Sequence, residues 1–198
     1  LLKPVNGIIG RKLGMAQTFG KKGEVVPVTY LRCEPNTVHD LKTLDRDGYE
    51  SVVLAAEDLG NKATKNKKYR VIKEFLGNVT GVEKGAEVTV ALFEAEEQVT
   101  IVGISKGKGF QGRVRRHNAR VIRRTHGTKY GRHGSTGSIS ITARSQPGIK
   151  MPGRMGGDQI TLHNREVIVV DVLRNLIAVK GPVPGAVNSL VYLKKSAS

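Results

Sequence analysis

The 198-residue chain has no tryptophan, four phenylalanines, five tyrosines and a single cysteine, Cys33. One thiol cannot close an intramolecular disulfide, and without a second cysteine there is no zinc-ligand spacing. No apolar run approaches the roughly 18 residues that cross a bilayer as a helix. The first seven residues, LLKPVNG, hold no long apolar stretch before a small-residue cleavage site, and the first residue is not Met. The expectation is a soluble, intracellular protein without a leader, trimmed at its N-terminus. Acidic residues are the most informative shortage. There are 17 against 33 Lys+Arg, for a formal net charge of +16, and none lies between Ser105 and Gly157.

That acid-free segment, residues 105–157, carries thirteen cations: Lys106, Lys108, Arg113, Arg115, Arg116, Arg120, Arg123, Arg124, Lys129, Arg132, Arg144, Lys150 and Arg154. The other 145 residues hold 20 basic and 17 acidic side chains, a net of +3. Eleven of the 24 glycines and three of the five histidines also fall in the segment. Like charges repel and little apolar surface is available to bury, so such a stretch does not order itself; a polyanion removes that obstacle. A basic run is commonly a solvated face or a disordered tail. This one is internal, flanked by structured-looking sequence, and nucleic-acid contact is the stronger reading. An anionic membrane or protein surface is weaker. Leaving the body at 105 and returning near 157, an arm of this length reaches at most roughly 85–95 Å.

Outside the segment, apolar content suffices for a core. Counting glycine with the apolar class and leaving tyrosine out gives about 47%, within the globular range. Residues 24–33, 49–56, 87–93, 98–104, 159–163, 166–172, 176–180 and 189–193 read as strands: short, rich in β-branched residues, bounded by turn signals. Residues 173–175 read as a hairpin turn and 181–185 as a loop. Strands at this spacing predict a small barrel or sandwich. Residues 61–68, NKATKNKK, are a polar basic stretch; residues 69–76 read as a short helix within a modest insertion, 60–85. Residues 113–124 also read as helical, with Arg113, Arg116, Arg120 and Arg123/Arg124 on one face.

Several motifs invite catalytic readings and fail. Gly107-Lys108-Gly109-Phe110-Gln111-Gly112-Arg113-Val114 matches G-x-G-x-x-G after a strand, yet no acidic residue follows between Glu97 and Asp158 to bind a ribose. The kinase form lacks its partner motifs. These glycines suit sharp turns and close approach of backbone to phosphates. His117, His126 and His133 sit among arginines, and neither they nor the distant His39 and His163 form a metal set, so no metal and no cofactor is expected. Nothing argues for an enzyme or for a small-molecule substrate. Phe110 and Tyr130 are the only aromatics of the arm, too few for a base-stacking platform. Phosphate contact and shape-fitting into folded RNA remain.

Ordered blocks then resemble the bacterial-type large-subunit ribosomal protein L-three family over essentially the whole length. They are Gly7-Ile8-Ile9-Gly10-Arg11-Lys12-Leu13-Gly14-Met15, Ser105-Lys106-Gly107-Lys108-Gly109-Phe110-Gln111-Gly112, His133-Gly134-Ser135-Thr136-Gly137-Ser138, Lys150-Met151-Pro152-Gly153-Arg154-Met155-Gly156-Gly157, and Val179 to Gly185. The resemblance implies a β-barrel body and a long loop buried in ribosomal RNA, near the peptidyl-transferase region, with a role in subunit assembly. It makes 106–124 and 150–154 the walls of the arm and 133–146 its tip, and it adds Arg11, Lys12 and His133 to the RNA-contacting cations. Two features depart from the family: the 60–85 insertion is shorter than usual, and the family's methylated tip glutamine aligns near Ser140, so no such modification is expected.

The combined expectation is a mainly β protein. Residues 1–104 and 158–198 form one small β-barrel body with a short α-containing insertion, and 105–157 form a long basic internal arm. It is a structural, non-enzymatic part of the large ribosomal subunit, in the cytoplasm or an organelle, partnered by ribosomal RNA and neighbouring ribosomal proteins, with no membrane. An architectural DNA-binding protein is the alternative; Ile139, Ile141 and Ile149 would be its wedges.

Overall fold

The alternation of buried and exposed residues along the strands sets the architecture. In a computed structural model, which describes residues 5–20, 22–65, 67–77, 79, 81–121, 127 and 144–196, the chain is mainly strand. Six strands close a hydrogen-bonded ring: β1 (Gly7–Phe19), β2 (Val25–Arg32), β7 (Gln98–Ile104), β10 (Gln159–Asp171), β11 (Leu176–Lys180) and β12 (Leu190–Lys195). Their order around the ring is β1-β12-β7-β10-β11-β2, and every pairing is antiparallel. A second sheet of four strands runs β5 (Tyr69–Leu76), β4 (Ser51–Asp58), β3 (Asn36–Lys42) and β6 (Glu87–Val88). One helical turn, α1 (Leu44–Asp47), joins β3 to β4.

The two larger hydrophobic clusters follow from strand periodicity; a third, small one is Val26, Val28 and Ala178. Successive side chains on a strand point to opposite faces. Ile8 of β1 accordingly joins Leu31, Val99, Ile101, Val167, Ile177, Val191 and Leu193, drawn from all six ring strands. Its neighbour Ile9 faces the other way, joining Val38, Val52, Leu54, Val71 and Phe75 of the four-stranded sheet. β1 is thus a wall shared by both clusters. Glycine is required there: a Cβ on Gly7 would lie 2.3 Å from the Phe75 ring and 2.5 Å from the Leu193 carbonyl oxygen. Gly7 seats Phe75.

Bulges let the two longest strands serve several partners. β1 shifts register between Lys12 and Gly14, and β10 between Leu162 and Arg165, where Asn164 has φ 51°. An extra residue bends the strand and increases its twist. The two strands expected over 159–163 and 166–172 are therefore one continuous strand. After it, Asn175 takes the left-handed conformation (φ 55°) in the expected hairpin turn, and its N–H donates to the Val172 carbonyl. The 181–185 loop is tied inward: Gly181 N–H donates to the Pro27 carbonyl, the Thr29 hydroxyl donates to the Gly181 carbonyl, and Val183 is buried.

Three local expectations are corrected. Residues 69–76 form strand β5, not a helix, because the segment completes a ladder with β4 and buries Val71 and Phe75 on one face. Among the described residues of 60–85, the helical content is a single 3-10 turn, Gly60–Lys62. Within 87–93 only Glu87–Val88 is strand, and Val90–Leu92 is a second 3-10 turn that drops Val90 and Phe93 into the ring cluster.

The chain divides into two compact units, Leu1–Ser105 with Gln159–Ser198, and Lys106–Asp158. Both clusters belong to the first.

Candidate nucleic-acid interface

The second unit, 106–158, is organised quite differently. None of its described residues is buried. Its order comes from backbone hydrogen bonds between an outgoing and a returning strand. β8 (Phe110–Gln111) pairs antiparallel with β9 (Gly153–Arg154), Phe110 opposite Arg154 and Gln111 opposite Gly153. Next to this ladder, Lys108 N–H donates to the Met155 carbonyl (2.8 Å) and Met155 N–H to the Gly109 carbonyl (3.0 Å). Gly156, at φ 75°, allows the closest approach: a Cβ there would lie 2.1 Å from the Lys106 carbonyl oxygen.

Side chains reinforce the clasp. Gly112 precedes α2 (Arg113–His117), a five-residue helix that ends where Asn118 turns left-handed (φ 52°). From α2, Arg116 Nη1 donates to the Met151 carbonyl oxygen at 3.1 Å, and His117 Nε2 lies 3.1 Å from the same oxygen. The Gln111 amide donates to the Lys108 carbonyl, and its Oε1 accepts from Arg115 Nη1 at 3.3 Å. Of the helix expected over 113–124, the described residues form only 113–117, so Arg120 does not continue its face; 122–124 lie outside the described residues. The glycine-rich stretch 107–112 serves this clasp as turn and strand.

The cations of the expected site fall into three groups. Lys106, Lys108, Arg115, Arg116, Arg120, Arg144, Lys150 and Arg154 are exposed, and Arg113 is half-buried. Arg123, Arg124, Lys129, Arg132 and His133 lie outside the described residues, as does most of the expected tip, 133–146. Arg11 and Lys12 belong to the first unit, where both side chains are hydrogen-bonded within the body. The Arg11 guanidinium grips the Glu57 carboxylate through two nitrogens, one of them at 2.9 Å, and also donates to the Asn188 carbonyl. Lys12 Nζ donates to the carbonyls of Val183 (2.7 Å) and Gly185 (3.1 Å), bracing the 181–185 loop. In this structure both side chains serve as internal ties of the body.

Electrostatics separate the units further. In the first, some carboxylates are paired with cations: the Arg11 hydrogen bond holds the Glu57 carboxyl below its ordinary range, and Lys84 and Arg46 hold Asp40 far below it. Between 106 and 157 the sequence offers no carboxylate. Sequence reasoning missed Gln111, Met151 and Gly156. The adjacent Gly156-Gly157 was the available signal, since paired glycines mark close approach or positive φ. Among the described residues no group of three His, Cys, Asp or Glu side chains is arranged to hold a metal. Nor does any described helix have the length and apolarity to cross a membrane.

The profile of the ribosomal protein L3 family matches residues 67–174. The chain is 43% identical over 202 residues to the large ribosomal subunit protein uL3 of Borreliella afzelii, covering 96% of this chain and 98% of that one. It is 45% identical over 201 residues to the uL3 protein of Bacillus cytotoxicus, with 95% of each chain covered. With a profile match over more than half its length and relatives of this identity end to end, the chain belongs to the ribosomal protein L3 family.

Proposed function

We propose that this chain is a structural component of the large ribosomal subunit, in which the 105–157 arm binds ribosomal RNA and supports the subunit's assembly. One observation carries the reading: a 53-residue stretch with thirteen cations and no acid has no buried residue among those described. The described part of this unit has no core and its sequence holds no counter-charge, and RNA phosphates supply the second. The clasp fixes where the arm starts and returns, and its exposed cations offer charge for a phosphate backbone to follow. The arm's task is neutralisation and shape rather than catalysis. Partners are ribosomal RNA and neighbouring ribosomal proteins, and the location is the ribosome.

Two measurements test this. If about ten arm cations contact phosphate, the log–log dependence of RNA affinity on salt has a slope of about −7 to −9. A slope no steeper than about −2 would refute the arm mechanism. In extracts run on a gradient at roughly 0.5 M salt, the protein migrates with the large subunit, because a threaded arm outlasts a few exposed phosphate contacts. Recovery at the top of the gradient would mean a peripheral binder.

A further inference from the structure

The body's small positive excess is not spread over its surface. Between Asp58 and Glu74 lie six cations and no acid: Lys62, Lys65, Lys67, Lys68, Arg70 and Lys73. Setting this stretch and the arm aside, the remaining residues hold 14 basic and 17 acidic side chains, a net of −3. All the positive excess of the body is in one connection, the loop from β4 to β5 and the start of β5.

Its backbone is pinned. Leu59 N–H donates to the Lys68 carbonyl (2.9 Å), and Thr64 and Lys67 exchange two hydrogen bonds (3.0 and 3.1 Å). Lys62 N–H and Ala63 N–H close the 3-10 turn on Leu59 and Gly60. β5 is an edge strand of its sheet, so the loop and Arg70 stand at a free margin. Lys62, Lys65, Lys67, Lys68 and Arg70 are all exposed.

The carboxylates that flank the stretch are committed elsewhere. Glu57 is gripped by Arg11, and only Arg70 Nε approaches it from this stretch, at 3.7 Å. Asp58 Oδ1 accepts the Gly60 N–H at 3.0 Å, so it serves to shape the turn. Glu74 accepts the Ser51 hydroxyl at 2.6 Å and lies 3.5 Å from Lys42. Lys73 points away from the loop, over the Tyr192 ring. Lys62, Lys65, Lys67 and Lys68 have no carboxylate partner among the described residues. An ordinary solvated face mixes both signs and pairs many of them, as the body does elsewhere with Lys84–Asp40 and Lys180–Glu166.

From this placement we propose that the β4–β5 loop, through Lys62, Lys65, Lys67, Lys68 and Arg70, is a second nucleic-acid contact that binds a phosphate backbone independently of the arm. The inference rests on the RNA-binding reading above and adds a site on the body. Four clustered ammonium groups on a pinned turn form a local positive field, and each phosphate contact releases condensed counterions. Lysine heads on flexible stems suit a phosphate track without demanding fixed geometry.

The test uses the full chain and deproteinised large-subunit ribosomal RNA as the probe. Wild type is compared with K62Q/K65Q/K67Q/K68Q, and with a control of equal charge change, K22Q/K42Q/K84Q/K180Q; melting curves verify that each is folded. At about 0.7–0.9 per phosphate, loss of four contacts makes the salt slope of the loop variant shallower by roughly 3. The control slope stays within about 1 of wild type. An unchanged slope in the loop variant, while wild type binds steeply, overturns this site and leaves the arm reading intact; a loop that docks on an acidic protein would give that result. Equal changes in loop variant and control would reduce the effect to net charge and also overturn it. Failure of wild type to bind the RNA would sink the arm reading and this one together.

Discussion

Gly156→Ala is the sharpest perturbation of the arm's base, because the neighbouring glycine supplies its own control. Both Gly156 and Gly157 sit at φ 75°, in the region L-residues avoid. Alanine at either position costs on the order of 1–2 kcal/mol for backbone strain. At Gly157 a Cβ meets nothing within 4 Å, so the cost ends there. At Gly156 it would lie 2.1 Å from the Lys106 oxygen, 3.1 Å from the Lys106 carbonyl carbon and 3.2 Å from the Gly107 Cα, all backbone atoms that cannot swing aside. Relief requires the 106–107 segment to withdraw, which breaks the adjoining bonds Lys108 N–H to Met155 and Met155 N–H to Gly109. Two backbone hydrogen bonds at about 1 kcal/mol each add roughly 2 kcal/mol. Amide hydrogen exchange reads this locally, since the clasp opens without unfolding the body. Protection of the Lys108 and Met155 amides should fall roughly 30-fold further in Gly156→Ala than in Gly157→Ala, at 1.4 kcal/mol per tenfold. Equal losses in the two variants would refute the close approach of the strands and leave only a φ effect.

Other outcomes follow from the body. Burial without a partner pushes the Cys33 thiol up to about 12, so almost no thiolate is present at neutral pH. The native protein at pH 8 should resist a thiol-specific disulfide reagent for as long as it stays folded, then release one equivalent on denaturation; prompt stoichiometric labelling of the native state would contradict the burial. Glu57 has its carboxyl lowered from 4.5 chiefly by the Arg11 hydrogen bond. A depressed carboxyl stabilises the fold fully above its unfolded value, and that contribution is lost as pH falls through the folded one. Glu57→Gln should therefore melt lower than wild type at pH 7, and the gap should narrow as pH drops below about 4.5; a gap constant down to pH 3 would show that the ion pair contributes nothing.

How much of this is legible in the sequence depends on where the physics is local. β7 and β11 can be read at their true bounds because both are short and rich in β-branched residues; burial alternates in β7 through Val99, Ile101 and Gly103, whereas in β11 Ile177, Ala178 and Val179 are all buried. β5 misleads because its apolar residues occupy both faces: Val71 and Phe75 are buried, while Ile72 and Leu76 are exposed. β1 carries no strand signal, since its glycines and cations answer to partners distant in sequence, Phe75 for Gly7 and Cys33 for Gly10. The charge of the arm is fully legible, since it needs only counting. Its clasp is not, because the groups that make it are backbone carbonyls at Lys106, Gly109, Met151 and Met155, which carry no side-chain signature. The internal partners of Arg11 and Lys12 are hidden for the related reason that a cation's partner cannot be seen from its own segment.

The two basic segments differ in chemistry as well as in place. The arm has nine arginines and four lysines, whereas residues 59–73 have five lysines and one arginine. A guanidinium has five donors on a rigid plane, so it can hold a protein carbonyl and a phosphate at once; an ammonium is a compact, strongly hydrated charge. Arg116 shows why that matters: it braces the returning strand through the Met151 carbonyl and is still exposed. Where the described residues form no core, side chains that bind the ligand must also help hold the chain, and arginine does both. The β4–β5 loop already has its shape from backbone bonds and from a sheet with its own core, so its cations need supply only charge. Lysine is sufficient there.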